Sequence, residues 1–244
     1  MILFYILLFT FIGSILSLVG SLFLLVRGKI PEDTLGHLVS FAAGVILAFV
    51  FFDLLPEAAE EAGDINYLGA ALVGFVIFFF AERFIHVFHL HHTHIEKTPT
   101  SLVLIGDSLH NLIDGVAITA SFLTSIPLGI ATSIAVGAHE IPQEIADMGV
   151  LLANGLSRRK ALAYNFLSAL TAILGALAAY FFADLIEKNI SLFLSLTAGF
   201  FLYISATDLI PNLHERYQKN RNNLSTFIFL AGILVVFVFG KIFE

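Results

Sequence analysis

Residues 40–56, SFAAGVILAFVFFDLLP, return as residues 195–211, SLTAGFFLYISATDLIP. Ser40, Ala43, Gly44, Asp53, Leu54 and Pro56 recur as Ser195, Ala198, Gly199, Asp208, Leu209 and Pro211, each 155 positions further on. Each copy is a long apolar run that ends on an acid and a proline, and crossing a bilayer core of ~30 Å takes a helix of roughly 20 such residues. Working outward from the two copies, breaks at Gly, Pro and charged clusters predict eight spans: Ile2–Val26, Leu35–Leu55, Tyr67–Val87, Ser101–Leu123, Leu128–Leu152, Ala161–Phe182, Ser191–Leu213 and Leu224–Phe243. The copies fall in spans two and seven, an odd number of spans apart, so they enter the membrane from opposite sides. The expected fold is an all-α polytopic membrane bundle with one transmembrane domain over residues 1–244, in which spans 1–3 and 6–8 form an inverted repeat around spans 4–5. Folds of this kind hold their substrate near the midplane, between the repeats.

Composition agrees. Hydrophobic residues make up 58% of the chain and charged residues 13%, with a mean hydropathy of +0.93, whereas a soluble domain is about a quarter charged. The net charge of −7 comes with no basic stripe, which argues against nucleic acid as a partner. No GxxxxGK[ST] loop occurs, so no nucleotide is expected as an energy source. Without cysteine, a metal site would be built from imidazole, carboxylate and amide groups. The first segment lacks a basic n-region and is too long for a signal peptide's apolar core, so it reads as the first span.

Basic residues test the span assignment. Arg27, Lys29, Arg83, Lys97, Arg158, Arg159, Lys160, Arg216, Lys219 and Arg221 fall on one side, and only Lys188 and Lys241 on the other. The rich side is the expected cytoplasmic face, which puts both termini outside, in a plasma (inner) membrane.

Span four contains GDSLHNLIDGVAI (106–118) and span five HEIPQEIADMGVLL (139–152). Asp107, His110, Asn111 and Asp114 follow at i, i+3, i+4 and i+7, so one helical face presents all four. His139, Glu140, Gln143, Glu144 and Asp147 make a second such face. An ionisable group at that depth costs ~2.5–3.5 kcal/mol on insertion scales, and helix association needs no more than single Asn or Ser residues. The donor types suit Zn²⁺ or Fe²⁺ and also accept Mn²⁺ or Cd²⁺. Candidate metal residues are therefore His110, Asn111, Asp114, His139, Glu140, Gln143 and Glu144. Asp53, Asp107, Asp147 and Asp208 are candidates for an ion pathway, with helix-end solvation the alternative for Asp53 and Asp208. Between spans three and four, His86, His89, His91, His92 and His94 form a His-rich tract suited to loose accessory metal binding. An intramembrane metalloprotease would need His-Glu-x-x-His on an unbroken helix, but Pro142 interrupts and Gln143 stands where the second His would be, so no enzyme is expected.

These segments resemble those of the ZIP (ZRT/IRT-like) family of metal transporters. The family's fourth-span HNxxDG is matched by His110, Asn111, Asp114 and Gly115, and the HExPHE of one subgroup's fifth span by His139, Glu140, Pro142, Gln143 and Glu144. DLLPEA in span two and NFLSAL at the start of span six extend the likeness over nearly the whole chain. The resemblance implies transport of zinc, with iron, manganese or cadmium as further cargo, toward the cytoplasm by a homodimer that needs no cofactor. It also implies a binuclear site, with His110, Asp114, His139 and Gln143 at one metal and Asn111, Glu140 and a nearby carboxylate at the other. Gln143 departs from the pattern, offering a neutral amide where relatives have His or Glu, and span six carries no acid or His.

Overall fold

The structure, a computed structural model, describes residues 1–27, 31–63, 65–90, 100–220 and 223–243. All regular secondary structure among them is helical. Helix α1 (Ile2–Arg27) is followed by a longer rod made of α2 (Glu32–Phe49), a π-helical turn (Val50–Leu54) and α3 (Leu55–Glu60). Next come α4 (Tyr67–Leu90), α5 (Thr100–Thr124) and α6 (Ile126–Ala153). The predicted sixth span is divided at Leu170 into α7 (Arg158–Ala169) and α8 (Thr171–Phe181), and a short α9 (Ala183–Lys188) leads on. A second compound rod joins α10 (Ile190–Ile204), a π-helical turn (Ser205–Leu209) and α11 (Ile210–Asn220), and α12 (Leu224–Phe243) closes the bundle.

Five stretches among the described residues are long and apolar enough to cross a membrane: Ile2–Val26, Asp33–Glu60, Thr100–Thr124, Arg158–Phe181 and Ile190–Glu215. A shorter apolar stretch covers Leu224–Val238. Helix α6 has the length, but His139, Glu140, Gln143, Glu144 and Asp147 dilute its apolar character. The rods around Asp53 and Asp208 continue through Pro56 and Pro211 to Glu60 and Asn220, beyond the predicted span ends at Leu55 and Leu213. Pro56 and Pro211 cannot donate to the carbonyls of Phe52 and Thr207, and their rings crowd those carbonyls. The helix widens into a π turn there, at positions 50–54 and 205–209, 155 apart like the sequence repeat.

Helix packing shows the same symmetry. Gly44 lies on Phe229 of α12, and Gly199 lies on Ala71 of α4; positions 71 and 229 are 158 apart. Gly74 meets Leu196, and Gly232 meets Phe41; 74 and 232 are again 158 apart, and 41 and 196 are 155 apart. The relation extends beyond the repeat read from sequence. Gly20 faces Ile141 of α6 and Gly175 faces Leu112 of α5, so α5 and α6 exchange places with an offset of 29. Two sub-bundles result, one of α2, α4, α10 and α12, the other of α1, α5, α6, α7 and α8. Small residues let these backbones touch, as membrane helices require when lipid is as apolar as leucine.

At Gly199 a Cβ would be driven into the Ala71 carbonyl, which is backbone and cannot swing aside. Gly199→Val is therefore expected to destabilise the protein by at least ~1–3 kcal/mol, the usual cost of overpacking. Gly137→Ala, with nothing within 4 Å of its added carbon, should be tolerated. Thermal unfolding in detergent checks the pair; equal melting temperatures would mean that the α4–α10 contact is not close.

Candidate metal centre

His110 and His139 meet across α5 and α6, with their Nε2 atoms 3.0 Å apart. Both side chains are buried. His139 Nδ1 lies 3.0 Å from the Ala135 carbonyl oxygen; a carbonyl only accepts, so Nδ1 carries the proton and Nε2 presents a lone pair to the centre. Asp114 Oδ2 stands 3.3 Å from His139 Nε2 and 3.6 Å from His110 Nε2. Glu140 Oε1 stands 3.4 Å from His110 Nε2 and 3.8 Å from His139 Nε2. Four side chains from two helices thus converge on one point.

A second cluster adjoins the first. Asp107, Glu140 and Glu144 each bring an oxygen within 4.8 Å of the others, all three residues being buried. Glu140 belongs to both clusters. Asn111 does not face the centre as a free donor: its Nδ2 donates to Asp107 Oδ1 at 2.9 Å and to the Asp107 carbonyl at 3.2 Å, which leaves its oxygen side for other partners. Neither oxygen of Asp114, Glu140 or Glu144 has a hydrogen-bond donor, nor does Asp107 Oδ2. A buried acceptor left without a donor costs ~1–3 kcal/mol, more when charged. Imidazole and carboxylate together suit a borderline dication, and a cation between them would satisfy all of these atoms at once.

The pseudo-symmetry runs through this centre. Positions 110 and 139, 111 and 140, and 114 and 143 are each 29 apart, so His110 pairs with His139, Asn111 with Glu140 and Asp114 with Gln143. Asp107 and Glu144 break the symmetry, their counterparts being Val136 and Gly115. The second cluster is built where the two halves differ.

Aromatic rings that sequence reasoning did not single out form the walls. The His110 ring packs edge-on to Phe78 and Phe200, with centroids 6.0 and 5.4 Å away, and His139 packs against Phe201 at 5.7 Å. Their pattern in sequence is that of any apolar span, so only the packing of α4 and α10 against α5 and α6 reveals them. Pro142 sits inside the continuous α6 and leaves the Ala138 carbonyl without its usual helical donor.

Beside His110 a cavity of about 390 Å³ opens. Gly106 and Leu109 of α5 line it, with Pro142, Gln143 and Asp147 of α6, and Glu82, Asp208 and Asn212 from α4 and the α10–α11 rod. This cavity leads to the end of the bundle at which α5 starts, at Thr100, and α6 ends, at Ala153. At that wall Tyr203 donates to Glu82 Oε2 at 2.5 Å, and Thr207 donates to Asp208 Oδ1 at 3.2 Å. A separate cavity of about 440 Å³ lies at the opposite end, beside the α5–α6 turn, and is lined by Asp53, Glu57, Glu60, Ser125 and Pro127. Glu57 and Glu60, which the sequence places in a loop, belong to α3. Helix α2 packs extensively on α6, whereas the symmetry-related α10 packs less extensively on α5, next to the cavity that reaches His110.

Of the sequence candidates, the structure gathers His110, Asp114, His139 and Glu140 in one cluster, and Asp107 and Glu144 with Glu140 in the other. Asp107, read from sequence as a pathway residue, sits in the second cluster. Gln143, Asp147 and Asp208 line the cavity beside His110, and Asp53 lines the other. His86 and His89 lie on the backbone of α4, but their side chains are outside the described residues, as are His91, His92 and His94 altogether.

The family model for ZIP zinc transporters matches residues 1–102 and 91–240. The chain belongs to the ZIP zinc transporter family. Over 150 residues it is 37% identical to the zinc transporter ZIP10 of Danio rerio, a stretch covering 59% of this chain and 18% of that protein. It is 39% identical over 140 residues to the zinc transporter ZIP6 of Homo sapiens, 56% of this chain and 18% of that protein. Over 143 residues it is 37% identical to the metal cation symporter ZIP8 of Rattus norvegicus, 56% of this chain and 30% of that protein. The ZIP chain described here thus spans less than a third of the length of each of these relatives.

Proposed function

We propose that this chain carries divalent transition-metal ions across a membrane toward the cytoplasm, zinc foremost, with iron, manganese or cadmium as further cargo. One observation carries the reading: two buried imidazoles and four buried carboxylates meet between α5 and α6, most of their oxygens without a donor, beside a cavity that leads to one end of the bundle. Membership of the ZIP family and relatives described as zinc transporters or a metal cation symporter support the choice of cargo. The family's business is transport, and no catalytic chemistry is assigned to the site.

His110, Asp114 and His139 hold one ion, with Gln143 as the symmetry mate of Asp114. Glu140 bridges to a second ion held with Asp107 and Glu144, and Asn111 orients Asp107. Asp147 and Asp208 line the route between the site and the cytoplasm, and Asp53 lines the vestibule on the far side. Residues 1–244 act as one transport unit of eight spans, in which α4 and α6 cross the membrane as well. The placing of ten of the twelve basic residues on one side supports both termini outside, in a plasma membrane; a homodimer surrounded by lipid follows from the family resemblance. Uptake of zinc into vesicles that contain only this protein tests the function, and no uptake above empty vesicles would overturn it.

Gln143 is the residue to change for selectivity. Gln143→His puts an imidazole, and Gln143→Glu an anion, where a neutral amide stands beside His110. Both are expected to tighten zinc binding by about tenfold, worth 1.4 kcal/mol, and to shift competition among Zn²⁺, Cd²⁺, Mn²⁺ and Fe²⁺. Unchanged competition profiles would remove Gln143 from the site.

A further inference from the structure

Residues 158–160, Arg-Arg-Lys, are the one run of three consecutive basic residues in a chain whose net charge is −7, and neither the metal clusters nor the two cavities use them. They open α7 and are exposed. Among the described residues none of the three pairs with a carboxylate. Arg158 is engaged in another way: its Nη1 donates to the Leu25 carbonyl, near the end of α1, at 3.2 Å. The charges of Arg159 and Lys160 are met by no side chain among the described residues.

Helix α7 has two distinct sides. Ala161, Asn165 and Ser168, at i, i+4 and i+7, are buried and make one row. Away from them Lys160, Tyr164 and Leu167 follow with the same spacing and are exposed, and Arg159, Ala163 and Phe166 form an adjoining exposed row. From Lys160 to Leu167 the helix rises about 10 Å. Two cations therefore stand above a tyrosine, a residue enriched at membrane–water interfaces, and above apolar side chains one to two turns deeper. A phospholipid presents its groups in the same order, phosphate first, then glycerol, then acyl chain.

The run also sits where helices of the metal-bearing sub-bundle are tied together. Gly155, at φ 89°, turns the chain from α6 into α7 within four residues. Asn154 Nδ2 donates to Thr100 Oγ1 at the start of α5, at 3.3 Å, and Arg158 holds the end of α1. We propose that Arg159 and Lys160, with Arg158 beside them, hold the phosphate of an anionic phospholipid whose chains lie along Tyr164, Phe166 and Leu167, and that this lipid stabilises the junction of α1, α5, α6 and α7. Charge complementarity selects the lipid: basic clusters beside a membrane helix attract anionic headgroups, and a zwitterionic headgroup offers no net charge to answer them.

Native mass spectrometry of the full chain released from detergent micelles, titrated with phosphatidylglycerol or with phosphatidylcholine of the same chains, tests this together with thermal unfolding in the same mixtures. Wild type should bind phosphatidylglycerol in preference to phosphatidylcholine, and its melting temperature should rise with the first and not with the second, since a ligand of the folded state stabilises it by mass action. The double variant Arg159→Gln, Lys160→Gln should bind phosphatidylglycerol about 25-fold less tightly, at about fivefold for each basic side chain near an anionic surface. Both side chains are exposed, so the variant should fold. Arg83→Gln, which removes an exposed cation from α4 in the other sub-bundle, should lose nothing. Wild-type affinity in the double variant, an equal loss in Arg83→Gln, or no preference for phosphatidylglycerol in wild type would overturn the assignment. Stabilisation by glycerol 3-phosphate as large as that by the lipid would also overturn it, by making this a site for free phosphate.

Discussion

His139→Ala is expected to abolish zinc uptake and to weaken binding of the tighter ion by at least about 100-fold, the upper end of what even outer groups contribute at metal sites. His139 Nε2 is within 3.0 Å of its partner His110 and 3.3 Å of Asp114, and its tautomer is set by the Ala135 carbonyl. No neighbour can replace it, because Phe201 packs against the ring and offers no donor. The fold should survive, since α5 and α6 pack on each other and on α1, α2 and α8 through many residues besides this pair. Uptake into vesicles at matched protein content, read together with the melting temperature, separates the two effects. Wild-type uptake in a folded His139→Ala protein would remove the His pair from the transport path.

Glu140→Gln should have the broader effect on binding. Glu140 is the one side chain common to both clusters, so removing its charge weakens both ion positions while its shape is kept. Loss of the second ion and a fall of about tenfold or more in affinity for the first are expected, with uptake lost as a consequence. Glu144→Gln, which touches only the second cluster, should spare the first ion. Dialysis with metal counting distinguishes them, and a Glu140→Gln protein that loses only one ion would show that Glu140 does not bridge.

Hydropathy and spacing along one helix are local properties, which is why so much of this protein is legible in its sequence. The helical membrane architecture follows from runs such as residues 40–56 and 195–211, whose apolar character no soluble fold could hide. The inverted relation follows because the copies fall five spans apart, an odd step along the chain, and the π turns then fall at equivalent places. His110 with Asp114, and His139 with Gln143 and Glu144, were visible because residues four or five apart share or adjoin a helical face.

Relations between helices could not be read in that way, since they depend on crossing angles and on the rotation of each helix about its axis. Nothing local says that Glu140 is shared, that Asp107 joins Glu144 rather than a pathway, or that Phe200 and Phe201 wall the imidazoles. The exchange of α5 with α6 by an offset of 29 is equally hidden, because it emerges from Gly20 on Ile141 and Gly175 on Leu112 across the bundle.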